Sequence, residues 1–468
     1  MPRNFGQEFL DQILKFEDKT CLIWRQTEIT FRQFHEKIEL WRTILEYQKK
    51  QSSNPLRIAL FCTNSPDILA LIVAGQLVGV TIIPLNPSYK KYEIEKYFLE
   101  SRANFVIVSD DVDLEKFEDM ELQTVSEVVS SAVDSNQNEE RSISTSGVLV
   151  FFSSGTTGPP KLYEYTQRNL CAQIDQINEI RKDSRFFSPS QSDVCYGVLP
   201  FFHAGGVITV LSMIYNGCSL LINERWNEEE FLTNCQDYKV SVLFLVPPVL
   251  NFLANHPLVP KFDLLSLKTI YVGSAPSKPE DFEKVSKRLP ALENLIQIYG
   301  TTECGVFLCS TGKGITLGRT IGLPLPLIKI KINKGGELII KSPTGVEEDF
   351  METGDLGAIH RKTNELAIVG RKKEMIKVRG WQVNPNEIED VIRKVNGVTD
   401  CAVYQSAIGG KLIAKVIGKS DIKLDIMIAV QGQLASYKQL DEIIFVTELP
   451  RTASGKLARY LLQQKTKK

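Results

Sequence analysis

One glycine-rich stretch, SSGTTGPPK at residues 153–161, carries the residue types that a phosphate-binding loop needs. Glycines let backbone N–H groups approach phosphate oxygens, hydroxyl side chains add donors, and a lysine adds positive charge. The stretch does not fit the G-x-x-x-x-G-K-[ST] pattern of a Walker A loop. Its composition alone is equally typical of a flexible Ser/Gly connection between a strand and a helix. The residues predicted to bind phosphate are Ser153, Ser154, Gly155, Thr156, Thr157, Gly158 and Lys161.

Six more short segments place polar or charged side chains next to glycine or proline. Taken singly, a Tyr, Asp or Lys in such a segment is more often an ordinary core or surface residue. A lone histidine after two aromatic residues is likewise more often a satisfied core residue than a catalyst. The segments are LPFFHAGG (199–206), VGSAP (272–276), QIYGTTE (297–303), TGD (353–355), GRKKEMIKVRGWQV (370–383) and PRTASGK (450–456).

Together, in this order over about 300 residues, the segments resemble the motifs of the adenylate-forming superfamily. That superfamily contains acyl-CoA ligases, peptide-synthetase adenylation domains and firefly-type luciferases. The residues of these segments are most similar to those of the branch that contains plant coumarate–CoA ligases and luciferases. Two segments carry that finer resemblance: VPP at 246–248, followed by a helical pattern, and K-x-x-G-aromatic-Q-V at 377–383.

The resemblance implies an ATP-dependent acid–thiol ligase with ATP, Mg²⁺ and coenzyme A as cofactor and co-substrates. Carboxylate attack on the α-phosphate brings two anions together, so the site must supply positive charge and aligned donors there. By resemblance, Lys456 contacts the carboxylate and the α-phosphate. Thr302 bonds a phosphate oxygen, and Glu303 holds Mg²⁺ between the phosphates.

The same resemblance assigns the rest of the ATP or AMP site. Asp355 accepts hydrogen bonds from the ribose hydroxyls, Arg371 also reaches the ribose, and Tyr299 stacks on adenine. The remaining residues of the predicted nucleotide site are Ser274, Ala275, Gln297, Gly300, Lys377 and Gln382.

A second step, transfer to the thiol, is implied by the lysine-rich segment. In the family the C-terminal domain rotates after adenylation, and Lys373 stands at the hinge position. Arg379 and Gly380 are implied to line the pantetheine tunnel, where glycine lets a thin thiol arm pass the backbone. Lys377 is then placed beside the adenylate as a second catalytic lysine. A solvated lysine-rich face is the simpler alternative.

The predicted acyl pocket contains His203, Gly205 and Gly273. His203 occupies the gating position between the acyl pocket and the thiol route. Gly205 stands where coumarate-type enzymes place a bulky aromatic residue. The smaller residue leaves room and favours a fatty or other extended acid over a cinnamate.

Three positions depart from the family pattern. Leu162 follows Lys161 where glycine is usual, and Gln167 stands where a histidine is often found. The interval SPTGVEEDFME at 342–352 is short and lacks the G-Y and G-W pairs of the relatives. These departures keep two alternatives open: adenylation with another acceptor (a carrier protein, or luciferase-like oxidation), and a non-catalytic acyl- or nucleotide-binding homologue.

Alternating strand and helix patterns predict the elements that position these motifs. We expect an α/β protein with a large N-terminal domain, 1–372, of doubly wound, mixed or parallel sheets. Its parallel-sheet subdomains reach about residue 326, and period-two alternation predicts a small β subdomain at 327–372. A small, mobile α+β domain is predicted at 373–468.

Composition narrows the class of protein. The 468 residues carry a net charge of −1, which gives no global indication of nucleic-acid binding. Residues 374–468 contain 15 Lys and Arg against 10 Asp and Glu, so the rest is net acidic. This asymmetry suits a polyanionic ligand between the two parts and equally suits ordinary surface variation.

The nine cysteines form no C-x-x-C pair, which argues against a zinc site or a disulfide framework. No signal peptide or transmembrane segment is expected. We therefore expect a cytoplasmic monomer or homodimer acting on a small carboxylic acid and CoA. A peroxisomal location is not excluded, although the C-terminus lacks S-K-L.

Overall fold

The computed structural model describes residues 3–117, 120–132, 143–153, 161–378, 381–406, 410–451 and 457–462. Among these residues, no helix has both the length and the apolar character needed to cross a membrane. The helices of this part of the chain are α1 (Phe5–Ile13), α2 (Phe31–Gln51), α3 (Pro66–Val78), α4 (Lys91–Ser101), α5 (Val125–Ala132), α6 (Gln167–Lys182), α7 (Ala204–Tyr215), α8 (Glu228–Asp237), α9 (Pro247–Asn255), α10 (Pro279–Arg288), α11 (Pro385–Arg393) and α12 (Lys423–Gln433).

The strands of the described residues fall into five sheets. In chain order they are β1 (Thr20–Trp24), β2 (Thr27–Thr30), β3 (Arg57–Phe61), β4 (Thr81–Leu85), β5 (Phe105–Val108), β6 (Leu122–Thr124), β7 (Val148–Phe152), β8 (Leu162–Thr166), β9 (Val194–Gly197), β10 (Ser219–Ile222), β11 (Val242–Leu245), β12 (Thr269–Val272), β13 (Asn294–Thr301), β14 (Gly305–Ser310), β15 (Leu323–Pro324), β16 (Lys329–Ile332), β17 (Glu337–Lys341), β18 (Met351–Ile359), β19 (Leu366–Arg371), β20 (Ile376–Val378), β21 (Trp381–Val383), β22 (Val398–Gln405), β23 (Leu412–Gly418) and β24 (Glu442–Phe445).

Two large sheets form the N-terminal part. The larger has the strand order β15-β14-β13-β12-β11-β9-β10-β1-β2, and the other has the order β6-β5-β3-β4-β7-β8. The neighbouring strands β10, β9, β11, β12 and β13 are parallel, and so are β5, β3 and β4. Parallel strands of this kind are buried on both faces by helices. The predicted α/β class with doubly wound, mixed sheets is confirmed.

Helix α3 shows how local sequence sets an element. The Ser65 side chain accepts a hydrogen bond from the N–H of Ile68, and Pro66 occupies the first turn. Gly79 ends the helix with φ of 76°, a left-handed conformation that suits glycine. Twelve of the thirteen residues are buried, because the helix lies inside the main hydrophobic core. Serine at the cap and proline in the first turn are thus the sequence signals that start this helix.

Two smaller units follow. Strands β16 to β19 form an antiparallel four-stranded sheet, as period-two alternation predicted. Beyond it, β22 and β23 pair antiparallel, β23 and β24 pair parallel, and α11 and α12 pack on a separate core. The α+β character predicted for this part is therefore confirmed. The domain boundary at 372/373 and the mobility of the C-terminal unit remain predictions.

Two segments differ in detail from their sequence patterns. The helix expected after VPP at 246–248 already begins within it, at Pro247 of α9, and the preceding strand β11 ends at Leu245. Proline favours the first helical turn because the N–H that it lacks would have no partner there. The glycine-rich stretch at 153–161 joins the antiparallel strands β7 and β8, whereas its composition is also typical of a connection between a strand and a helix.

Candidate active site

The two ends of the glycine-rich loop are held together by the β7–β8 hairpin. The N–H of Ser153 donates to the carbonyl of Lys161 over 2.8 Å, and the N–H of Lys161 donates to Ser153 Oγ over 3.0 Å. The hairpin therefore fixes where the loop begins and ends. The predicted phosphate-binding residues between those ends lie outside the described residues: Ser154, Gly155, Thr156, Thr157 and Gly158.

Asp355 is the centre of a cluster that joins three predicted nucleotide residues. Its carboxylate accepts a 2.7 Å hydrogen bond from the Tyr299 hydroxyl at one oxygen. The other oxygen lies 2.8 Å from Nε of Arg371, the residue directly opposite in the β18–β19 pair. Asp355 is almost fully buried, whereas the Arg371 side chain is 38% exposed. A ligand can thus approach the cluster from the arginine side.

Burial and neighbouring charges together determine the protonation of Tyr299 and Arg371. Burial, and then the negative charge of Asp355, raise the pKa of Tyr299 well above its usual range, so the phenol keeps its proton and donates it. Burial would lower the pKa of Arg371, but the carboxylates of Asp355 and Glu374 outweigh that effect and raise it. The cluster therefore presents a neutral phenol and a guanidinium cation around one carboxyl group.

The turn between β13 and β14 carries Thr302 and Glu303, and its backbone is held from two sides. The Tyr165 hydroxyl donates to the carbonyl of Thr302 over 2.7 Å. The N–H of Val346 donates to the carbonyl of Glu303 over 3.0 Å. Gly300 is required just before this turn, because a Cβ there would lie 1.8 Å from the carbonyl oxygen of Val306.

Val346 belongs to the short interval that departs from the family pattern. In this structure the interval packs directly on the turn and on helix α6, since Asn169 Nδ2 donates to the carbonyl of Gly345. The same interval provides the N–H group that holds the Glu303 backbone. The short connection therefore contributes to the geometry of the turn instead of leaving a gap.

The segment after β12 packs against strand β13, which leads into this turn. The N–H of Gly273 donates to the carbonyl of Leu245 over 3.1 Å, and a Cβ on Gly273 would approach Ile298 Cγ1 to 2.7 Å. Ser274 is exposed with φ of 75°, and Ala275 is half-buried. These residues follow the carboxyl ends of adjacent parallel strands, which is where open α/β sheets bind ligands.

Gln297 carries a buried hydrogen-bond acceptor in the same region. It lies on β13 opposite Val272 and is 7% exposed, and its N–H donates to Thr311 Oγ1 over 2.9 Å. Its side-chain oxygen has no hydrogen-bond partner among the described residues. A buried acceptor in this state is costly unless a water or a ligand supplies a donor.

His203 immediately precedes helix α7, and its ring lies 4.6 Å from the ring of Phe202, centre to centre. The position of a Cβ on Gly205 has no atom within 4 Å, so this first turn has free space beside it. Gly206 is different, because a Cβ there would lie 2.0 Å from the carbonyl oxygen of Pro200.

Next to Gly206, a cavity of about 10 Å³ lies between α7 and the larger sheet, which is room for about one water molecule. The side chains of Val210, Met213, Leu220 and Phe244 contribute to its mainly apolar lining. In this structure the cavity is therefore too small to hold an acyl chain.

The segment between the small sheet and the C-terminal unit is anchored on both sides of Lys373. Lys372 Nζ lies 2.7 Å from Glu337 Oε2, and its N–H donates to the carbonyl of Gly354. Glu374, on the other side, lies 3.3 Å from Nε of Arg459. Lys373 itself is exposed. The predicted hinge residue thus stands between two residues that are each attached to a different unit.

Several remaining site residues are only partly described or not described. Lys377 and Gln382 are opposite each other in the β20–β21 pair, and their backbones alone are described. Arg379, Gly380 and Lys456 lie outside the described residues.

Sequence reasoning missed Glu337, whose carboxylate is 2% exposed and also accepts from the N–H of Gly354 over 2.9 Å. An acidic residue in the apolar strand GELIIK was the available signal. It also missed Tyr165, whose hydroxyl holds the Thr302 carbonyl, although its alternation with Tyr163 in LYEYT indicated a strand.

Comparison with known families now adds to this geometry. The model of the AMP-binding enzyme family matches residues 9–347, and that of the AMP-binding enzyme C-terminal domain matches residues 387–456. The chain belongs to the AMP-binding enzyme family. The resemblance to adenylate-forming enzymes is therefore confirmed.

Individual members of this AMP-binding family are similar along most of the chain. A 4-coumarate–CoA ligase (CCL1) of Humulus lupulus is 27% identical, covering 97% of this chain and 92% of its own length. Acyl-CoA synthetase 7 of Caenorhabditis elegans is 32% identical, covering 68% of this chain and 65% of its own length. The ATP-bound MatB structure from Rhodopseudomonas palustris has a TM-score of 0.85 at 20% identity, covering 98% of both chains, and supports the fold.

Proposed function

We propose that this AMP-binding family member is an ATP-dependent acyl-CoA ligase of the AMP-forming type. A carboxylate oxygen of the acid attacks the α-phosphorus of ATP, the bond to the β-phosphate breaks, and pyrophosphate leaves. The CoA sulfur then attacks the acyl carbon after losing its proton, and the bond to AMP breaks. The observation that carries the proposal is the Asp355–Tyr299–Arg371 cluster, next to the Thr302–Glu303 turn at the carboxyl ends of parallel strands.

In this proposal, Asp355 and Arg371 hold the ribose, and Tyr299 is fixed beside the adenine. The half-exposed Arg371 and the buried Asp355 form a paired donor and acceptor that match two adjacent hydroxyl groups. Gln297 offers its unsatisfied side-chain oxygen to a donor on the base. Ser274, Ala275 and Gly300 form the wall along the strand ends.

The phosphates are assigned to the loop at 153–161, to Thr302 and to Lys456, with Lys377 joining at the second step. A carboxylate oxygen is the ligand type that Mg²⁺ prefers, so Glu303 is the residue that would hold this ion. Burial chiefly raises the pKa of the nearby Tyr163 hydroxyl, and the negative charge of Glu303 raises it further. Bound Mg²⁺ would neutralise charge on the phosphates.

The acid is proposed to be fatty or aryl-alkyl. Support comes from the free space beside Gly205. His203 and Gly273 are assigned with Gly205 to the acyl pocket, and Arg379 and Gly380 are assigned to the route of the CoA arm. The chain similarity to 4-coumarate–CoA ligases and to an acyl-CoA synthetase supports a CoA thiol as acceptor.

The test measures pyrophosphate release from ATP across acids of graded chain length and aromaticity, with and without CoA. We expect release with a subset of acids, and AMP and thioester only when CoA is added. Adenylation without CoA-dependent AMP release would favour another acceptor. No release with any acid, together with measurable ATP binding, would favour a non-catalytic homologue.

The pocket assignment has its own test, Gly205→Phe. A phenyl ring in the free space is expected to abolish turnover of long acids and to spare short ones. Gly205→Ala serves as the matched control, because a methyl group has room there. An unchanged acid preference in Gly205→Phe would remove this region from the acyl pocket.

A further inference from the structure

Arg459 follows the predicted catalytic lysine, Lys456, by three residues and begins a short 3₁₀ turn, Arg459–Leu461. Its side chain is only 15% exposed, and all three guanidinium nitrogens donate to protein oxygens. Nη1 and Nη2 form a forked pair with Glu389 at 2.5 and 3.0 Å. The acceptors of Arg459 are spread over the hinge segment, helix α11 and strand β22: Glu374, Asn386, Glu389 and the carbonyl of Val403.

Glu389 is the buried acceptor of this network. Its side chain is 1% exposed and also accepts from the N–H of Val403 over 2.7 Å and from Arg393 over 3.0 Å. Burial would lower the pKa of Arg459, but its hydrogen bond to Glu389 and the Glu389 charge outweigh burial and raise it. The Arg459 guanidinium is therefore charged, and it and the Glu389 carboxylate are each surrounded by matched partners, the condition for a buried ion pair to be well placed.

The two ends of segment 452–456 meet at this network. Arg451 and Leu457 form an antiparallel bridge, and the N–H of Ala458 donates to the carbonyl of Pro450 over 2.9 Å. Arg451 Nη2 also lies 2.5 Å from Asp400 Oδ2, but that arginine is 49% exposed. An exposed ion pair restrains the backbone that carries it only weakly, whereas a buried arginine with a forked pair of hydrogen bonds to a carboxylate restrains it strongly. The C-terminal end of the segment is thus the better fixed of the two.

We propose that Arg459 is the positioning residue for the segment that carries Lys456. Through its bonds to Glu389 on α11 and to Glu374 beside the hinge, Arg459 holds Leu457 and Ala458, the described residues that directly follow Lys456, on the C-terminal unit. The inference rests on the proposed function, in which Lys456 acts in adenylation. Arg459 does not contact the substrate in this role and acts through the lysine.

The role predicts different effects on the two half-reactions. In Arg459→Ala, acid-dependent exchange of pyrophosphate with ATP should fall by about 100-fold, the order of loss for a reacting group displaced by about 1 Å. Transfer of the acyl group from supplied acyl-AMP to CoA should stay near the wild-type rate. Arg393→Ala is the matched control, because Arg393 binds the same carboxylate over 3.0 Å from within helix α11 itself. Both half-reactions of that control should remain close to wild type.

A double-mutant cycle separates positioning from general support of the unit. If Arg459 acts through Lys456, adding Arg459→Ala to Lys456→Ala should cause no further loss of exchange. An additional loss in the double variant, an equal fall in both half-reactions, or unchanged exchange in Arg459→Ala would each overturn the proposal.

Folding is controlled with Arg459→Lys, which keeps the charge but loses the fork. Circular dichroism and thermal unfolding show whether the C-terminal unit of Arg459→Ala is folded. If it is not, the double-mutant cycle with Lys456→Ala is run with Arg459→Lys in place of Arg459→Ala, and the same three outcomes would overturn the proposal. A wild-type protein that shows no exchange with any acid contradicts the proposed function itself. Exchange in the wild type with the wrong variant pattern contradicts only the role of Arg459.

Discussion

Two buried carboxylates in this molecule, Asp355 and Glu389, are each paired with arginine, yet their surroundings differ. Asp355 faces an arginine that is 38% exposed, and a tyrosine hydroxyl occupies its other oxygen. Glu389 faces an arginine that is 15% exposed, and a second arginine and a backbone N–H complete its shell. The same pair of chemical groups is open towards solvent on its arginine side in the first region and is enclosed by protein in the second.

This difference in the exposure of the paired arginine indicates which carboxylate is expected to act in ligand binding and which in stabilising the fold. An ion pair with an exposed partner contributes little to folding, because water can solvate the exposed charge. An enclosed pair costs much when one partner is removed, because the other is left buried and uncompensated. We therefore expect changes at Asp355 to affect the nucleotide, and changes at Glu389 to affect the stability of the C-terminal unit.

The largest expected effect is on catalysis in Asp355→Asn. Losing the carboxylate should lower kcat/KM for ATP in pyrophosphate exchange by about 100-fold, since hydrogen bonds to charged groups are worth about 1.5–3 kcal/mol each. The measurement is exchange at varied ATP concentration. Thermal unfolding serves as the control and should change less than in Glu389→Gln. Full activity in Asp355→Asn would remove the ribose assignment.

The next effect is on stability in Glu389→Gln. Removing one charge of a buried pair typically costs about 3–5 kcal/mol, and here two arginines lose their carboxylate. Native-state hydrogen exchange in β22 and β23 should become faster, while the strands of the larger sheet keep their protection. Unchanged protection in β22 would show that Glu389 is not an essential partner and would break the comparison.

A smaller effect is expected in Tyr299→Phe. The change removes one hydroxyl donor from Asp355 and keeps the ring, so KM for ATP should rise by about 10-fold, equivalent to about 1.4 kcal/mol for one lost hydrogen bond. Tyr271→Phe is the matched control, because its buried hydroxyl donates to the backbone carbonyl of Phe187 and not to a predicted site residue. An equal rise in both variants would contradict a specific role for the Tyr299–Asp355 bond.

The smallest effect concerns alkaline pH. The pKa of Tyr299 is raised in the folded protein, so the unfolded chain releases this proton first, from a pKa of about 10. Stability should therefore be full below about pH 10 and fall as the pH rises further towards the folded pKa. The fall of the unfolding midpoint with pH should be less steep in Tyr299→Phe. An identical slope in the two proteins would contradict this assignment.

Periodicity and caps predicted much of the fold. Strand–helix–strand patterns in the N-terminal part indicated parallel sheets, and Ser65 with Pro66 marked the start of a helix. The β7–β8 hairpin was not predicted, because the composition of the glycine-rich loop is equally typical of a connection between a strand and a helix. The alternation of LYEYT after the loop was the signal that favoured a second strand.

The candidate site was predicted through its motifs but not through its supports. Asp355, Tyr299 and Arg371 stand in recognisable segments, and the structure brings their side chains together. Glu337 and Arg459 were missed, because their partners lie 35 and 70 residues away in the chain. Spacing along a sequence reports local geometry only, whereas a buried ion pair depends on which distant elements the fold packs together.

The anchors on either side of Lys373 have a mechanical consequence. Lys372 is attached to Glu337 of the small sheet, and Glu374 is attached to Arg459 of the C-terminal unit. A residue between two fixed neighbours has two soft torsions, φ and ψ. If the C-terminal unit rotates while both ion pairs stay intact, the rotation must occur about the φ and ψ torsions of Lys373. Its end points would then be set by the φ/ψ regions that are sterically allowed for this one lysine.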